Sequence, residues 1–298
     1  MKNKNKKLTV YSTNPNFECN KENDENLPIN PEDQLLEVWI DKHRAGKTAV
    51  IIKGFIGNLS ELAIKENYEL VVAIGGDGTV SECAKALIGS ETALSVIPCG
   101  SGNGFAYHFK INRKIEDAIV QLNNNQIKYI DSCSVNHFPF INVSGIGFDA
   151  HIANLFASTK KRGFLSYIKL TLRELSYKAR EYEIQYNNIY RKTKAFAIVF
   201  ANASQYGNDA RIAPNAITND GLIDFVIVKK FPNWKIPFFV LDVLRGRTHL
   251  NKNVEILKLK ELNIKTDNKT VHLDGEVKKV NSPINIKISS KKLKIFVP

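Results

Sequence analysis

The chain has 298 residues, of which 43% are hydrophobic, enough for one large domain or two ordinary ones. Its 10 prolines and 17 glycines are too few for a disordered or fibrous protein, and its four scattered cysteines lack zinc-ligand spacing. The net charge of +12 suits either an anionic partner, such as a nucleic acid, a nucleotide or an anionic membrane surface, or a basic surface that only keeps the protein soluble.

The N-terminal half alternates predicted strands and helices. Residues 1–7 are basic and polar, and no apolar run follows them, so we expect a cytoplasmic protein without a signal peptide or a membrane-spanning helix. Strands are predicted at 8–12, 48–53, 70–74 and 93–97, and helices from Pro31 through Leu35 and Leu36, at 59–67 and at 80–88. This alternation predicts an α/β domain, residues 1–130, with a parallel sheet covered by helices.

The pattern changes after about residue 131, where predicted strands follow one another directly. They lie at 127–136, 140–143, 183–187, 194–201, 222–228, 254–259, 262–266 and 284–297, and the few helices at 150–157, 165–180 and 234–244. A second domain, residues 131–298, is therefore predicted to be a mainly antiparallel β-sandwich. The last strand is a candidate to return to the first domain.

The strongest motif is Ile-Gly-Gly-Asp-Gly-Thr-Val at 74–80, between a predicted strand and a predicted helix. Its three glycines let the backbone approach a ligand closely, and the helix N-terminus offers N–H groups to phosphate. Asp77 suits such a turn if a divalent cation accompanies the phosphates. A second glycine-rich loop, at 98–106, follows the next strand, where the ends of parallel strands form a crevice.

Near the C-terminus, Asp274-Gly275-Glu276 has two interpretations. It is the pattern of a hairpin turn between strands around Val271 and Val280. A carboxylate is also the group that a kinase needs to accept a proton from an attacking hydroxyl. The neighbouring His272 is interpreted as a surface strand residue.

Together these motifs resemble the catalytic domain of the diacylglycerol kinase family, which includes bacterial lipid kinases and the sphingosine and ceramide kinases. The resemblance rests on Gly75-Gly76-Asp77-Gly78-Thr79, on Gly100-Ser101-Gly102-Asn103 about 25 residues later, and on Asp274-Gly275-Glu276. Further blocks at 145–150, 213–216 and 219–222 match in the same order. The resemblance implies the nucleotide-binding α/β fold shared with NAD kinases, followed by a lipid-substrate β-sandwich domain.

The resemblance also implies the roles of individual residues. ATP is expected to contact Gly75, Gly76, Asp77, Gly78, Thr79, Val80, Ser81, Gly100, Ser101, Gly102 and Asn103. Glu276 matches the general base, Asp274 would support it, and Asp77 would lie near the Mg²⁺–ATP phosphates. A second, structural Mg²⁺ is expected at the Asp220 side chain and the backbone carbonyls of Ile217 and Leu222.

The segment 160–180 contains seven basic residues and one acidic residue, interleaved with apolar ones. Such a basic amphipathic helix can lie on an anionic bilayer, where a lipid kinase must find its substrate. The alternative is a helix that packs on its own domain and leaves a solvated basic face. We expect peripheral membrane association, while no recognition motif supports nucleic-acid binding. A homodimer is left open.

The favoured function is an ATP- and Mg²⁺-dependent lipid kinase of phospholipid metabolism that phosphorylates the hydroxyl of diacylglycerol, a sphingoid base or a ceramide-like lipid. One alternative is an NAD kinase-like enzyme, which shares the first glycine motif. The other is a catalytically silent lipid- or nucleotide-binding protein. It is suggested by Asn14-Pro15, where the family usually continues to Ser-Gly and this chain has Asn16-Phe17-Glu18.

Overall fold

The computed structural model describes residues 9–11, 35–37, 49–52, 56–158, 164–174 and 177–298. The chain divides into two compact units, the first formed by residues 1–100, 109–129 and 293–298 and the second by 101–108 and 130–292. Two long strands contribute to both units, since each changes unit part-way along its length. The Asn14-Pro15 segment and residues 160–163 and 175–176 of the basic segment 160–180 lie outside the described residues.

The helices are α1 (Ile56–Lys65), α2 (Asp77–Leu87), α3 (Gly104–His108), α4 (Ile115–Gln121), α5 (Phe148–Ser158), α6 (Phe164–Arg173) and α7 (Ile236–Leu244), with 3₁₀ turns at Leu122–Asn124, Asn233–Lys235 and Thr248–Leu250. The strands are β1 (Thr9–Tyr11), β2 (Leu35–Glu37), β3 (Ala49–Ile52), β4 (Leu70–Gly75), β5 (Ala93–Pro98), β6 (Gln126–Val135), β7 (Phe138–Phe140), β8 (Val143–Gly147), β9 (Arg180–Tyr186), β10 (Ile189–Ala201), β11 (Ile223–Lys229), β12 (Val254–Leu259), β13 (Glu261–Lys265), β14 (Thr270–Leu273), β15 (Glu276–Lys279) and β16 (Ile284–Val297). None of the described helices is both long enough and apolar enough to cross a bilayer.

The first unit contains the predicted parallel sheet, in the order β2-β1-β3-β4-β5-β16. Every neighbouring pair is parallel except β1 with β2. β4 and β5 are buried along their whole length, as expected for parallel strands at the centre of a sheet. The α/β class predicted for this half is therefore confirmed.

The helix predicted from Pro31 is wrong at Leu35 and Leu36. These residues form β2, in which Leu36 pairs with Val10 of β1. A short apolar run does not distinguish a helix from a strand, and hydrogen bonding to β1 decides for the strand.

α2 begins directly after β4 and packs against it. Val80, Cys83, Ala84 and Leu87 are buried, which is the i, i+3, i+4, i+7 pattern of one helix face. Burial raises the pKa of the Cys83 thiol to about 12, so this cysteine is a packed apolar group at neutral pH. The burial of this face fixes the direction in which the helix leaves the first glycine motif.

The second unit is built from antiparallel pairs, so its predicted class is confirmed. β10 is its central element. Its first half pairs with β9, and its second half lies between β8 and β11. The helix predicted at 165–180 is too long, because α6 ends at Arg173 and β9 begins at Arg180 to pair with Ala195 of β10.

Both faces of β10 are buried, in two separate apolar clusters. Ile198 and Phe200 point into the sandwich interior with Phe225 of β11. Ala197 and Val199 point to the opposite cluster, which includes Val243 of α7. Because alternate residues reach different clusters, the strand is apolar at successive positions and does not alternate with polar residues.

Phe200→Ala should destabilise the second unit severely. The side chain is fully buried and lies 5.9 Å, centroid to centroid, from the ring of Phe225. Its removal should lower the free energy of unfolding by about 3–5 kcal/mol, measured by urea denaturation. Tyr190→Ala, at the exposed start of the same strand, is the control and should change it by about 0.5 kcal/mol or less. Equal stability of the two variants would contradict this account of the core.

Candidate active site

The first glycine motif forms a tight turn from β4 into α2 at one edge of the parallel sheet. Gly75 ends the strand, Asp77 begins the helix, and Gly76 alone lies between them. A Cβ atom on Gly76 would lie 3.1 Å from Cα of Gly100, the first residue of the second glycine motif. A Cβ atom on Gly75 would collide with the Thr79 side chain. The first unit thus brings the two motifs into contact where the α2 N-terminus is exposed.

The rest of the second glycine motif is held by a turn at 207–208 in the second unit. The Asn208 backbone N–H donates to the Gly102 carbonyl at 3.2 Å, and its side-chain amide donates to the Ser101 carbonyl at 2.6 Å. Asn103 forms a β-bridge with Gly207. Gly207 has φ of +119°, and a Cβ atom there would overlap the Gly102 carbonyl, so only glycine fits.

Sequence reasoning missed this partner of the second glycine motif. The tripeptide Gly207-Asn208-Asp209 is a recognisable turn signal. Nothing local, however, shows which loop the turn supports, because the contact joins segments about 100 residues apart.

α3 is anchored at its last residue, His108. Nδ1 of His108 accepts the backbone N–H of Ser204 at 3.1 Å and lies 2.9 Å from the Ser204 hydroxyl. Burial lowers the pKa of His108 to about 4, so the ring is neutral at physiological pH. A neutral ring is required, because a protonated Nδ1 would have no lone pair for the Ser204 N–H.

Asp274 and Gly275 form the two-residue turn of the β14–β15 hairpin, with φ of +51° and +93°. The hairpin interpretation of this motif is therefore confirmed. The buried Asp274 carboxylate also accepts the backbone N–H groups of Ile141 and Asn142, at 3.0 and 2.9 Å. Asp274 thus fixes a loop, while Glu276, at the first position of β15, keeps a third of its side chain exposed beside Lys278.

A buried polar cluster lies next to this hairpin. Nε2 of His272 is 2.6 Å from Oδ2 of Asp149, to which the Tyr206 hydroxyl also donates at 2.9 Å. The side chains of His272 and Asp149 are only 4% and 8% exposed. The interpretation of His272 as a surface strand residue is therefore wrong, because its side of β14 faces α5, which carries Asp149.

Asp149 and Tyr206 also line a mostly apolar cleft of the second unit. The remaining lining residues come from α5, α6, β10, β11 and α7 and the loops beside them: Phe148, Thr171, Phe196, Ala197, Val199, Ala210, Ile212, Val228, Phe231, Ile236, Phe239, Val240, Val243 and Leu244. An apolar cleft with one carboxylate suits a ligand that is mostly hydrocarbon and carries a polar group.

The predicted metal residues Ile217, Asp220 and Leu222 lie together in the loop before β11. Oδ1 of Asp220 accepts the Leu222 N–H at 3.0 Å, and Oδ2 lies 3.8 Å from the ammonium of Lys258. The same ammonium is 3.5 Å from Asp224. Carboxylate and carbonyl oxygens suit Mg²⁺, although Lys258 already supplies a positive charge there. No cluster of three metal-ligating side chains occurs in the part of the chain that the structure describes.

Hydrogen bonds connect this loop to Asp274 through the interior of the second unit. Asp131 accepts the Gly221 N–H at 2.7 Å through its side chain, and its carbonyl accepts the Asn202 side-chain amide at 2.9 Å. Asn202 also donates to the carbonyl of Ile141, whose N–H binds Asp274. A chain of hydrogen bonds through buried Asp131 and Asn202 therefore links the predicted metal loop to the predicted base hairpin.

Comparison with known proteins shows the family of the chain. Residues 142–297 match the model of the YegS C-terminal NAD kinase beta sandwich-like domain, and residues 50–135 match that of the diacylglycerol kinase catalytic domain. The chain belongs to the YegS-like family of lipid kinases with a diacylglycerol kinase catalytic domain. As a member of that family it is a phosphotransferase.

The chain is similar to two relatives in sequence and to a solved structure in fold. The protein named "Probable lipid kinase YegS-like" of Yersinia enterocolitica is 30% identical over 75% of this chain and 76% of its own. A diacylglycerol kinase of Bacillus subtilis is 28% identical over 72% of this chain and 73% of its own. The crystal structure of a diacylglycerol kinase from Bacillus anthracis, at 18% identity, covers 84% of each chain with a TM-score of 0.61, which shows a shared fold.

Asp274→Asn should destabilise the lipid kinase. The amide that replaces one carboxylate oxygen cannot accept a backbone N–H, so a buried donor at Ile141 or Asn142 loses its charged partner. The free energy of unfolding should fall by about 1.5–3 kcal/mol in urea denaturation. Asp209→Asn, at an exposed carboxylate paired with Arg211, should cost less than about 1 kcal/mol. Wild-type stability of Asp274→Asn would contradict the stabilising role of these two hydrogen bonds to Asp274.

His108 should make stability depend on pH. Because its pKa is lowered from 6.5 to about 4 in the folded chain, the unfolded chain binds the proton first as pH falls. The contribution is present above pH 6.5 and is lost toward pH 4, by about 2 kcal/mol between pH 7 and pH 5.

Urea denaturation at pH 7, 6 and 5 measures this loss. His108→Gln should flatten the pH dependence, whereas His249→Gln, at an exposed histidine, should retain the wild-type slope. An unchanged slope in His108→Gln would assign the acid sensitivity to other groups.

Proposed function

We propose that this lipid kinase transfers the γ-phosphoryl group of ATP, with Mg²⁺, to a hydroxyl group of diacylglycerol or of a sphingoid-base- or ceramide-like lipid. The observation that carries the ATP part is the contact between Gly76 and Gly100 beside the N-terminus of α2. Glycine at both positions leaves the backbone free of side chains, and a helix N-terminus provides N–H groups for phosphate oxygens.

Asp77 is the residue of the first motif that suits Mg²⁺. Its carboxylate lies in the first turn of α2, where an acid beside phosphates alone would be repelled. When bound, Mg²⁺ would neutralise charge on the phosphate oxygens. The structural Mg²⁺ predicted at Ile217, Asp220 and Leu222 belongs to the same proposal, and the oxygen donors of this loop support it.

The acceptor part of the proposal rests on the apolar cleft of the second unit. Its lining of aromatic and aliphatic side chains suits an acyl chain, and the Asp149–Tyr206 pair offers a polar contact to a hydroxyl or amide group. A free nucleotide such as NAD has little apolar surface to bury in such a lining. The cleft thus favours a lipid acceptor over NAD.

Glu276 is proposed as the general base. Its carboxylate takes the proton of the lipid hydroxyl as the hydroxyl oxygen bonds to the γ-phosphorus, while the bond from that phosphorus to the bridging oxygen breaks and ADP leaves. Asp274, the neighbouring acid, is occupied by two backbone N–H groups. It therefore supports the base by fixing the hairpin.

The basic composition of the chain supports peripheral association with an anionic membrane on the cytoplasmic side. The net charge is +12, and each basic residue near an anionic surface contributes about 1 kcal/mol to binding. α6 adds exposed Lys169, Leu172 and Arg173 to this surface. Membrane association would give the enzyme access to its lipid substrate.

Glu276→Gln should fold normally and lose turnover. Its rate of lipid phosphorylation should fall roughly 10²- to 10⁴-fold, the usual contribution of a general base. The measurement is transfer of radiolabel from [γ-³²P]ATP to a mixed-micelle panel of diacylglycerol, sphingoid base and ceramide, with NAD as a further acceptor. Glu181→Gln, at an exposed glutamate of β9, is the matched control and should keep the wild-type rate.

Each other outcome has a defined meaning. Full turnover by Glu276→Gln would contradict the base assignment. Label in NAD and not in lipid would identify an NAD kinase. No product together with no detectable Mg²⁺–ATP binding would support a catalytically silent protein.

A further inference from the structure

One surface of the second unit combines exposed aromatic side chains with basic ones. It is formed by the segment 230–252, which contains the 3₁₀ turn Asn233–Lys235, α7 and the 3₁₀ turn Thr248–Leu250. Trp234, Phe238 and Leu250 are 67%, 62% and 68% exposed. With Lys235 and Lys252 they line a shallow groove, and we call this the α7 surface.

The aromatic side chains of the α7 surface contact each other. The rings of Trp234 and Phe238 meet edge to face at 6.5 Å, and the ammonium of Lys235 lies 5.3 Å from the Trp234 ring centroid. An indole ring beside a lysine is typical of the boundary between water and lipid, where the ring enters the headgroup layer and the ammonium stays with the phosphates. This arrangement favours a membrane as the partner.

The α7 helix is apolar on both sides. Its inner side, including Phe239, Val240 and Leu244, lines the apolar cleft. Its outer side exposes Phe238 and Leu241 where a helix packed on a water-soluble protein normally carries polar residues. Within the described part of the chain, this outer side is therefore open to solvent.

The charge of the segment identifies which partner fits. Between residues 230 and 252 there are five basic residues, Lys230, Lys235, Arg245, Arg247 and Lys252, and one acidic residue, Asp242. The Asp242 carboxylate accepts the Asn251 side-chain amide at 2.7 Å. Such a surface complements an anionic lipid layer, whereas a second copy of this chain would bring like charges together.

The α7 surface is also continuous with the apolar cleft. Phe231 and Phe239 line both the outer groove and the cleft, and their rings lie 5.4 Å apart. Phe231 and Phe239 would therefore be shared between a bilayer in contact with the outer groove and a ligand in the cleft. That shared apolar lining suits a ligand that leaves a membrane to enter the cleft.

We propose that the α7 surface docks the protein on an anionic phospholipid bilayer, with Trp234 and Phe238 inserted at headgroup depth. This inference deepens the proposed function, since it names where a membrane-dwelling lipid substrate would be approached. It concerns residues outside the glycine motifs and the Asp274–Glu276 hairpin. It also lies outside the basic segment 160–180.

The test is co-sedimentation of the full chain with vesicles of phosphatidylglycerol and phosphatidylcholine or of phosphatidylcholine alone, without ATP. Wild type should bind the anionic vesicles preferentially, and Trp234→Ser/Phe238→Ser should bind them roughly tenfold more weakly or worse. The matched control is Ile189→Ser/Tyr190→Ser, which removes an exposed aliphatic and an exposed aromatic side chain elsewhere on the same unit. Its binding should equal that of wild type.

Two further measurements test the roles of the lysines and of Trp234 separately. Lys235→Gln/Lys252→Gln should weaken binding to anionic vesicles and leave the weak binding to phosphatidylcholine unchanged. Trp39→Phe leaves Trp234 as the single tryptophan, whose emission should shift to shorter wavelength on anionic vesicles. Unchanged emission from bound protein, or wild-type vesicle binding by Trp234→Ser/Phe238→Ser, would overturn the proposal.

Analytical ultracentrifugation of the same variants tests the rival occupant. A wild-type dimer that becomes a monomer in Trp234→Ser/Phe238→Ser, with vesicle binding retained, would assign the surface to a second copy and overturn the proposal. Because vesicle binding is measured without nucleotide, a failure of lipid phosphorylation would refute the proposed function and leave the α7 surface supported.

Discussion

The placement of the β14–β15 hairpin depends on the buried carboxylate of Asp274. A buried carboxylate is tolerated only where hydrogen-bond donors replace its water, and here two consecutive backbone N–H groups do so. Those donors belong to Ile141 and Asn142, immediately before β8. The Asp274 side chain therefore ties the β14–β15 turn to the loop that leads into the sheet, and the position of Glu276 follows from it.

The same network explains why polar residues occur deep in an otherwise apolar domain. Asn202 directly follows β10, and its side-chain amide donates to the carbonyls of both Asp131 and Ile141, which lie in segments that β10 does not pair with. Asp131 in turn holds the Gly221 N–H and lies 3.4 Å from Lys292. The carboxylates of Asp131 and Asp274 thus each accept hydrogen bonds from backbone N–H groups, which is the condition for burying a charged group in a core.

Sequence reasoning succeeded where the signal is local. The turn from β4 into α2 has three glycines within four residues, and the β14–β15 turn has an Asp-Gly pair, so the residue types alone place both turns. It failed where pairing with a distant segment decides between a helix and a strand. The apolar pair Leu35-Leu36 of β2 fits a helix or a strand equally, and pairing with β1 selects the strand.

Sequence reasoning also did not predict contacts between residues that are distant along the chain. His272 follows an apolar residue on a short strand, and nothing nearby indicates that Asp149 lies 2.6 Å from it. The support of Gly102 by Asn208 is another case, since about 100 residues separate the two. Such contacts depend on how strands are ordered in the sheet, and the periodicity of one segment holds no information about that order.

The apolar character of α7 follows from what its two sides face. Its inner side must be apolar, because it covers Ala197 and Val199 of β10 and lines the cleft. Packing against the core does not explain why Trp234 and Phe238 are apolar, because both side chains are exposed. Large apolar side chains exposed to water lower solubility and add nothing to the core. Asp149, by contrast, is a polar residue buried in the same cleft, where His272 and Tyr206 are its hydrogen-bond partners. Trp234 and Phe238 thus form an exposed aromatic pair beside Lys235, and a lipid layer would replace the water that covers this pair.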